Sequence, residues 1–478
     1  MIVAVWCLLE LCFWYHAYLT KQRLQQQRKP AKLMSRAERQ SLYWNCFHTV
    51  HEPRKWFAGW FYVADSPHRE NPDFSDIHRD NVATWFAWAF WVDSLEIVRS
   101  NPVWAAELEW MISNAEHRYG MRFPLGHNPK IRCIRPSLDP VESIHRPFLF
   151  YAFNYGLTWL FNIVFLRWWL HFEYHTTSAP DAAWGGIFAT LHRWERALWP
   201  CSNGIDTTSS TYQHLNFWYR KQGRKATPVV FVHGIGMGLL FYVDLIYRVT
   251  KLDRPVFLVE IPYVSMRLVE HVPTPEETAS EIDSMLTSQG YNHAIFVAHS
   301  FGTAVASWLA TFAPKRIGGL VMVDPICFLL NYHHVAFNML HRVPKQPMEY
   351  FIHYFASREL FINHYISRHF QWYRTIFIVY PAGSEDPPKL PCKVEPTSPL
   401  SNATVFLSER DIIVDSTAIH TYLVNRGVDS RLMRNLSHGE FLINQEWRQQ
   451  VLEQIDQLAR NIEDEGLHVT HTNKTHAP

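Results

Sequence analysis

Six short apolar runs punctuate the second half of the sequence, with helical segments between them: 228–232 (PVVFV), 257–261 (FLVEI), 294–298 (AIFVA), 320–323 (LVMV), 404–407 (TVFL) and a weaker one at 431–434. Runs of four or five mainly aliphatic residues, bounded by turn residues, fit strands buried on both faces. Between two of them, Thr274-Pro275-Glu276-Glu277 supplies a capping hydroxyl, a proline at the first helical position and a glutamate at the third. That combination starts a helix, and its apolar spacing carries it to Ser288. Strand, helix, strand in this rhythm predicts an α/β fold: a mostly parallel sheet with helices on both faces. Its ligand chemistry belongs at the carboxyl ends of the strands.

Three of those ends carry reactive groups. The third run leads into Ala298-His299-Ser300-Phe301-Gly302 and straight on into a helical segment. A serine on a sharp strand-to-helix turn needs small residues two positions either side, and Ala298 and Gly302 meet that need. The first run ends in His233-Gly234-Ile235-Gly236-Met237-Gly238. Glycine there lets the backbone turn an amide, that of Ile235, toward a developing oxyanion; the Phe301 amide, at a helix N-terminus, is the second donor. The glycine spacing matches neither GxxxxGK[ST] nor GxGxxG, so a nucleotide site is not expected. The fifth run continues Ser408-Glu409-Arg410-Asp411, and the sixth is followed by Leu436-Ser437-His438-Gly439. Nucleophile, acid and base thus occur in the order Ser300, Asp411, His438. Asp324, at the end of the fourth run, is the rival acid.

With these motifs the chain resembles a serine hydrolase of the α/β-hydrolase superfamily, over roughly residues 210–465. The HG segment, the AHSFG turn, SERDIIV and SHGEF carry the likeness; Ala298 departs from the commoner glycine at that position. The resemblance implies attack by Ser300, proton transfer through His438 and orientation of the histidine by Asp411. Without nucleotide or metal motifs, no cofactor and no metal are expected. The resemblance leaves the substrate open among esters, thioesters and amides, and an acyltransferase would use the same three residues. A non-catalytic scaffold on this fold is the remaining alternative.

The first 200 residues read differently. They hold all but four of the chain's 20 Trp and match no family by their motifs. Residues 1–20 are apolar with Glu10 as the sole charged side chain, enough to cross a bilayer. No basic n-region precedes the run, which argues against a signal peptide and for an anchor. Lys21, Arg23, Arg28, Lys29, Lys32, Arg36 and Arg39 follow against one Glu, which sets the rest of the chain on the cytoplasmic side, facing an internal membrane. Residues 21–205 are expected to form a mainly helical region. Asn101-Pro102 caps one helix, which Gly120 ends. Within the region, 147–166 runs twenty residues without a charge; its aromatics suit an interfacial or buried helix, Asn154, Gly156 and Asn162 weaken a span, and the sequence leaves both open.

A polar connector at 201–213 precedes the sheet. An insertion at about 327–400 is expected as a helical lid, ending in a proline-rich stretch at 380–400, and 466–478 as a disordered tail. His333-His334 lacks a ligand at helical spacing, and the His68–Asp73 spacing sits in a proline-rich loop, so neither marks a site. Lys plus Arg total 45 against 44 acidic residues, leaving a formal charge of +1 and no nucleic-acid footprint. The seven cysteines form no CxxC pair. The expected partners are a lipophilic ester substrate and membrane lipid.

Overall fold

A computed structural model describes residues 1–30, 32–175, 215–221, 227–380 and 400–474. The connector at 201–213, most of the proline-rich stretch and the last four residues lie outside them. The chain divides into two compact units.

The first unit joins Met1–His145 to Leu329–Ile378. Most of the segment expected as a lid therefore packs with the N-terminal region. Its core is aromatic: Tyr43, Phe47, Trp56, Phe57, Trp85, Phe86, Phe90 and Trp91 are buried together, with Tyr43 and Phe47 stacked at 4.1 Å between ring centroids. Such rings bury large areas, and their edge-to-face contacts fix mutual geometry. The run 82–92 is apolar nearly all round because all of it but Thr84 and Val92 is buried, in the helix Arg79–Phe86 and a wider turn over Ala87–Trp91. The helix Pro102–Arg118 begins as its sequence requires, the Asn101 side chain accepting from the amides of Val103 and Trp104. Gly120 stops it at φ +58°. A two-stranded antiparallel ribbon pairs β1 (Phe61–Val63) with β2 (Ile131–Cys133).

Polar side chains tie the two segments of this unit. The indoles of Trp56 and Trp60 both donate to the Asn331 carbonyl, at 2.9 and 3.0 Å, and the Asn331 amide donates to the Cys46 carbonyl. The Arg368 guanidinium donates to the carbonyls of Gln25, Gln26, Pro136, Ser137 and Asp139. Ahead of this core, the helix Ile2–Leu24 leaves Ile2, Val3, Val5, Leu8 and Leu11 exposed.

The second unit holds an eight-stranded sheet: β3 (Glu173–His175), β4 (Asn216–Arg220), β5 (Val229–Val232), β6 (Val256–Glu260), β7 (Ala294–His299), β8 (Ile317–Val323), β9 (Ala403–Ser408) and β10 (Asp429–Met433). Their order is β10-β9-β8-β7-β5-β6-β4-β3, parallel from β10 to β6, with β4 and β3 antiparallel at one edge. The six expected strands are β5 to β10. The two edge strands were not expected: β3 has three residues, and β4 (NFWYR) lies in an aromatic context without alternation. With β3 and the helix Phe148–Leu160 included, this unit starts at Arg146, earlier than the residue 210 the pattern suggests. Along β5, Val229 and Phe231 enter a core with Val297, Val321 and Phe406, while Val230 and Val232 are equally buried on the other face. The helix Val243–Val249 and the helix Gln445–Lys474 cover the first face through Leu245, Ile246, Val451 and Ile455. The latter helix continues to Lys474, through Gly466 and into residues expected to be a disordered tail.

Gly302 opens the helix Gly302–Phe312 where it meets β5: a Cβ there would sit 2.2 Å from the Val232 carbonyl oxygen. Gly302→Ala should lower stability by about 1–3 kcal/mol or more through overpacking. Gly156→Ala, with nothing within 4 Å of the added carbon in a helix, should raise it by roughly 0.5–1 kcal/mol. Thermal unfolding of the two variants beside the parent checks the opposite signs.

Candidate active site

Each motif residue occupies the carboxyl end of a strand, as the fold requires. β7 ends at His299, and Ser300 follows at φ +51°, left-handed backbone that costs a side-chain-bearing residue energy. The turn is held from several sides. The Ser300 amide donates to the Val323 carbonyl, and the Thr303 amide and hydroxyl both donate to the Ser300 carbonyl. Ser300 is buried to 7% exposure.

After β9, Asp411 turns back so that its Oδ1 accepts from the amides of Ile413 (2.7 Å) and Val414 (3.1 Å). Its Oδ2 lies 2.6 Å from His438 Nδ1. His438 follows β10, and its Nε2 lies 2.9 Å from Ser300 Oγ. The structure therefore brings Ser300, His438 and Asp411 into one hydrogen-bonded line. With Asp411 accepting, Nδ1 carries the ring proton and Nε2 is free to accept from the serine hydroxyl.

Asp324, the rival acid, has a different set of contacts. It is fully buried at φ +47°; its Oδ1 accepts from the Ser408 amide at 2.7 Å. Its Oδ2 accepts from the Ser408 hydroxyl (3.0 Å) and from the Gly439 amide (2.8 Å). It thereby clamps the residue after His438 to the end of β9. Burial and the charge of Asp411 push its carboxyl up, against the pull of His438 and the two amides. At His438 burial works against the charged ring, but the charge and hydrogen bond of Asp411, with Asp324 behind, win and push it up.

Behind the serine lies a layer that the motifs alone do not disclose. Gly234 packs so closely that a Cβ there would sit 2.9 Å from Ser300 Cβ. Its amide donates to the Tyr242 hydroxyl (2.9 Å), which lies 2.7 Å from His299 Nδ1 and donates to it. His299 is then neutral with its proton on Nε2, 3.9 Å from Asp324 Oδ2, and its ring stands 5.4 Å from that of His438. Burial holds it well below the ordinary imidazole value. His233 is structural: its Nε2 accepts from the Ile261 amide and its Nδ1 donates to the Gly234 carbonyl, joining β5 to the end of β6. Burial lowers it to about 4. Ile235 follows Gly234 and Phe301 follows Ser300, so both predicted amide donors belong to segments touching the serine.

Among the described residues, Asp324, Asp411 and His438 form the one set of side chains close enough to hold a metal ion, with ligand atoms within 4.8 Å of one another. Both Asp324 oxygens, both Asp411 oxygens and both His438 nitrogens already take part in the protein's own hydrogen bonds.

Residues 227–375 match the family described as alpha/beta hydrolase fold. A stretch of 136 residues is 31% identical to the dihydrolipoyllysine-residue acetyltransferase component of the acetoin cleaving system of Cupriavidus necator, covering 26% of this chain and 35% of that protein. Another of 75 residues is 35% identical to the lipase LipV of Mycobacterium tuberculosis, covering 14% of this chain and 29% of that protein. The chain thus spans about a third of the length of these curated relatives. Solved structures that resemble it include the carboxylesterase CesB of Bacillus subtilis, at 14% identity and a TM-score of 0.34, covering 55% of this chain and 95% of that one. The monoacylglycerol lipase of Paleococcus ferrophilus shares 17% identity at a TM-score of 0.35, covering 51% and 99%.

Proposed function

We propose that the α/β-hydrolase domain of this chain is a serine esterase that cleaves a lipophilic carboxylic ester through an acyl-enzyme on Ser300. The observation that carries this reading is the Ser300–His438–Asp411 line, at 2.9 and 2.6 Å, set on a left-handed turn between strand and helix. In the first half-reaction Ser300 Oγ attacks the ester carbonyl carbon while its proton passes to His438 Nε2. The carbonyl oxygen gains the electron pair and is met by the amides of Ile235 and Phe301. Collapse of the intermediate breaks the bond to the leaving alcohol, which takes the proton from His438. Water then repeats the sequence and releases the acid. Asp411 holds the ring in the required tautomer and stabilises its cationic form.

An alcohol in place of that water would make the same site an acyltransferase, and product analysis with added alcohols separates the two. The helix Ile2–Leu24, none of whose apolar window is buried, supports attachment to a bilayer. The basic residues after it favour a catalytic domain on the cytoplasmic face of an internal membrane. A membrane setting favours substrates that partition into lipid.

Labelling with a fluorophosphonate probe tests the nucleophile: the parent should label and Ser300→Ala should not. Labelling that persists in the variant refutes the assignment, and a parent that never labels favours a non-catalytic scaffold. Chain-length dependence tests the substrate class. Each added buried CH₂ should raise kcat/KM for p-nitrophenyl esters by up to roughly fourfold, from ~0.8 kcal/mol, until the pocket ends. A flat profile removes the lipophilic substrate while leaving the nucleophile untouched.

A further inference from the structure

The second apolar helix, Phe148–Leu160 with its continuation through Phe161–Trp169, has its polarity turned inside out. Asn154, Thr158 and Asn162 face inward and are buried. The Asn154 amide donates to the Met266 carbonyl at 3.2 Å, and the Leu268 amide donates to the Tyr155 hydroxyl at 3.1 Å. Phe161, Phe165 and Leu166 continue that inner face into the core of the sheet unit, beside Leu239 and Tyr242. On the outer face Phe153 is 63% exposed, Trp159 46%, Leu160 50%, Val164 42% and Trp169 62%. A helix that met water here would show its asparagines and hide its rings, so the outer face is suited to an apolar neighbour.

Length and composition alone would let this helix cross a membrane, but 44% of its apolar window is buried, against none for Ile2–Leu24. A span cannot keep one side in the core of a water-soluble sheet. At the carboxyl end the Trp169 ring lies 5.8 Å from Tyr247, whose own ring carries the Lys251 ammonium at 4.7 Å. An indole beside a tyrosine that carries a cation matches the headgroup level of a bilayer, where each ring keeps one wet edge and the cation meets lipid phosphate.

We propose that the outer face of 148–169 lies in the plane of a lipid surface, docking the sheet-bearing unit onto the membrane as a second attachment distinct from the N-terminal helix. The proposal rests on the reading that the chain is membrane-attached. Tethering by Ile2–Leu24 raises the local concentration of lipid, so a face of modest area suffices for docking.

The full chain in nanodiscs of phosphatidylcholine with phosphatidylserine, carrying a photoreactive diazirine on the lipid, tests this without substitutions. One preparation places the diazirine near the ester carbonyls, the other at the acyl terminus, and mass spectrometry maps the adducts. The shallow probe should label 148–169 at least ~5-fold above the solvent-facing helix Ser416–Val424, and the deep probe should not; Ile2–Leu24 should take both. Labelling of Ile2–Leu24 with none on 148–169 overturns the docking and leaves the membrane attachment standing. Equal labelling of 148–169 by the deep probe along its length makes it a span and overturns the proposal as well. Absence of adducts on Ile2–Leu24 overturns the attachment itself. Fluorophosphonate reactivity of Ser300 in the same sample reports separately on the catalytic reading.

Discussion

Ser300→Ala and His438→Ala should each lower kcat/KM toward an activated ester by about 10⁴- to 10⁶-fold, and the double variant should be no slower than the worse single one. The reason is the shared proton. Ser300 Oγ is a nucleophile only while His438 Nε2, 2.9 Å away, can take its hydrogen, so removing either partner removes the same step. Independent contributions would multiply, and a double variant slower than either by the product of the two losses would break the unit apart. Circular dichroism spectra matching the parent confirm that each loss is chemical.

Asp411→Asn should cost on the order of 10³- to 10⁴-fold in kcat, whereas Asp324→Asn should cost far less in rate and more in stability. Asp411 Oδ2 is the acceptor for His438 Nδ1–H; an amide turned the wrong way there stabilises the other tautomer and takes Nε2 out of service. The hydrogen bonds of Asp324 go elsewhere than to the imidazole. Asp324 accepts from Ser408 and from the Gly439 amide, and an asparagine must confront one of those three donors with its own NH₂, at about 1–3 kcal/mol. The pH profile separates the roles further. His438 must be neutral to act as base, so kcat/KM climbs as pH rises through its pKa, which Asp411 and Asp324 push up. Removing the Asp324 charge lowers that pKa and should move the climb to lower pH. A climb that stays in place would mean Asp324 is electrically silent, and a larger rate loss at Asp324 than at Asp411 would transfer the acid role.

What could be read from the residues was whatever depends on neighbours in sequence. The turn at Ser300 follows from Ala298 and Gly302, the helix Pro275–Ser288 from its capping residues, and Asp411 and His438 from their place after two late strands. The contacts behind the serine were not legible in the same way. Tyr242 and His299 meet because β5 and β7 are adjacent, and nothing at residue 242 announces that its hydroxyl will join the Gly234 amide to an imidazole. Asp324 could be ranked as an acid from its position, but its task of holding Gly439 depends on a loop more than a hundred residues later. The membership of 329–378 in the first unit was hidden for the same reason. Helical periodicity says that a segment is amphipathic and does not say which distant surface it covers.

The ribosome completes residues 1–145 long before it reaches Asn331 and Arg368, which supply the carbonyl for Trp56 and Trp60 and the guanidinium for Gln25 and Asp139. At the usual pace of synthesis the interval is roughly ten to fifty seconds, during which the tryptophan-rich segment waits with its core open. The sheet's first strands emerge inside that interval, so the intervening domain can begin to gather before the first one closes. Gathering of β3 to β8 between Arg146 and Phe328 shortens the loop that the aromatic unit must close. In the cell, the oldest 145 residues of this polypeptide therefore cannot become native until about residue 378 has been made.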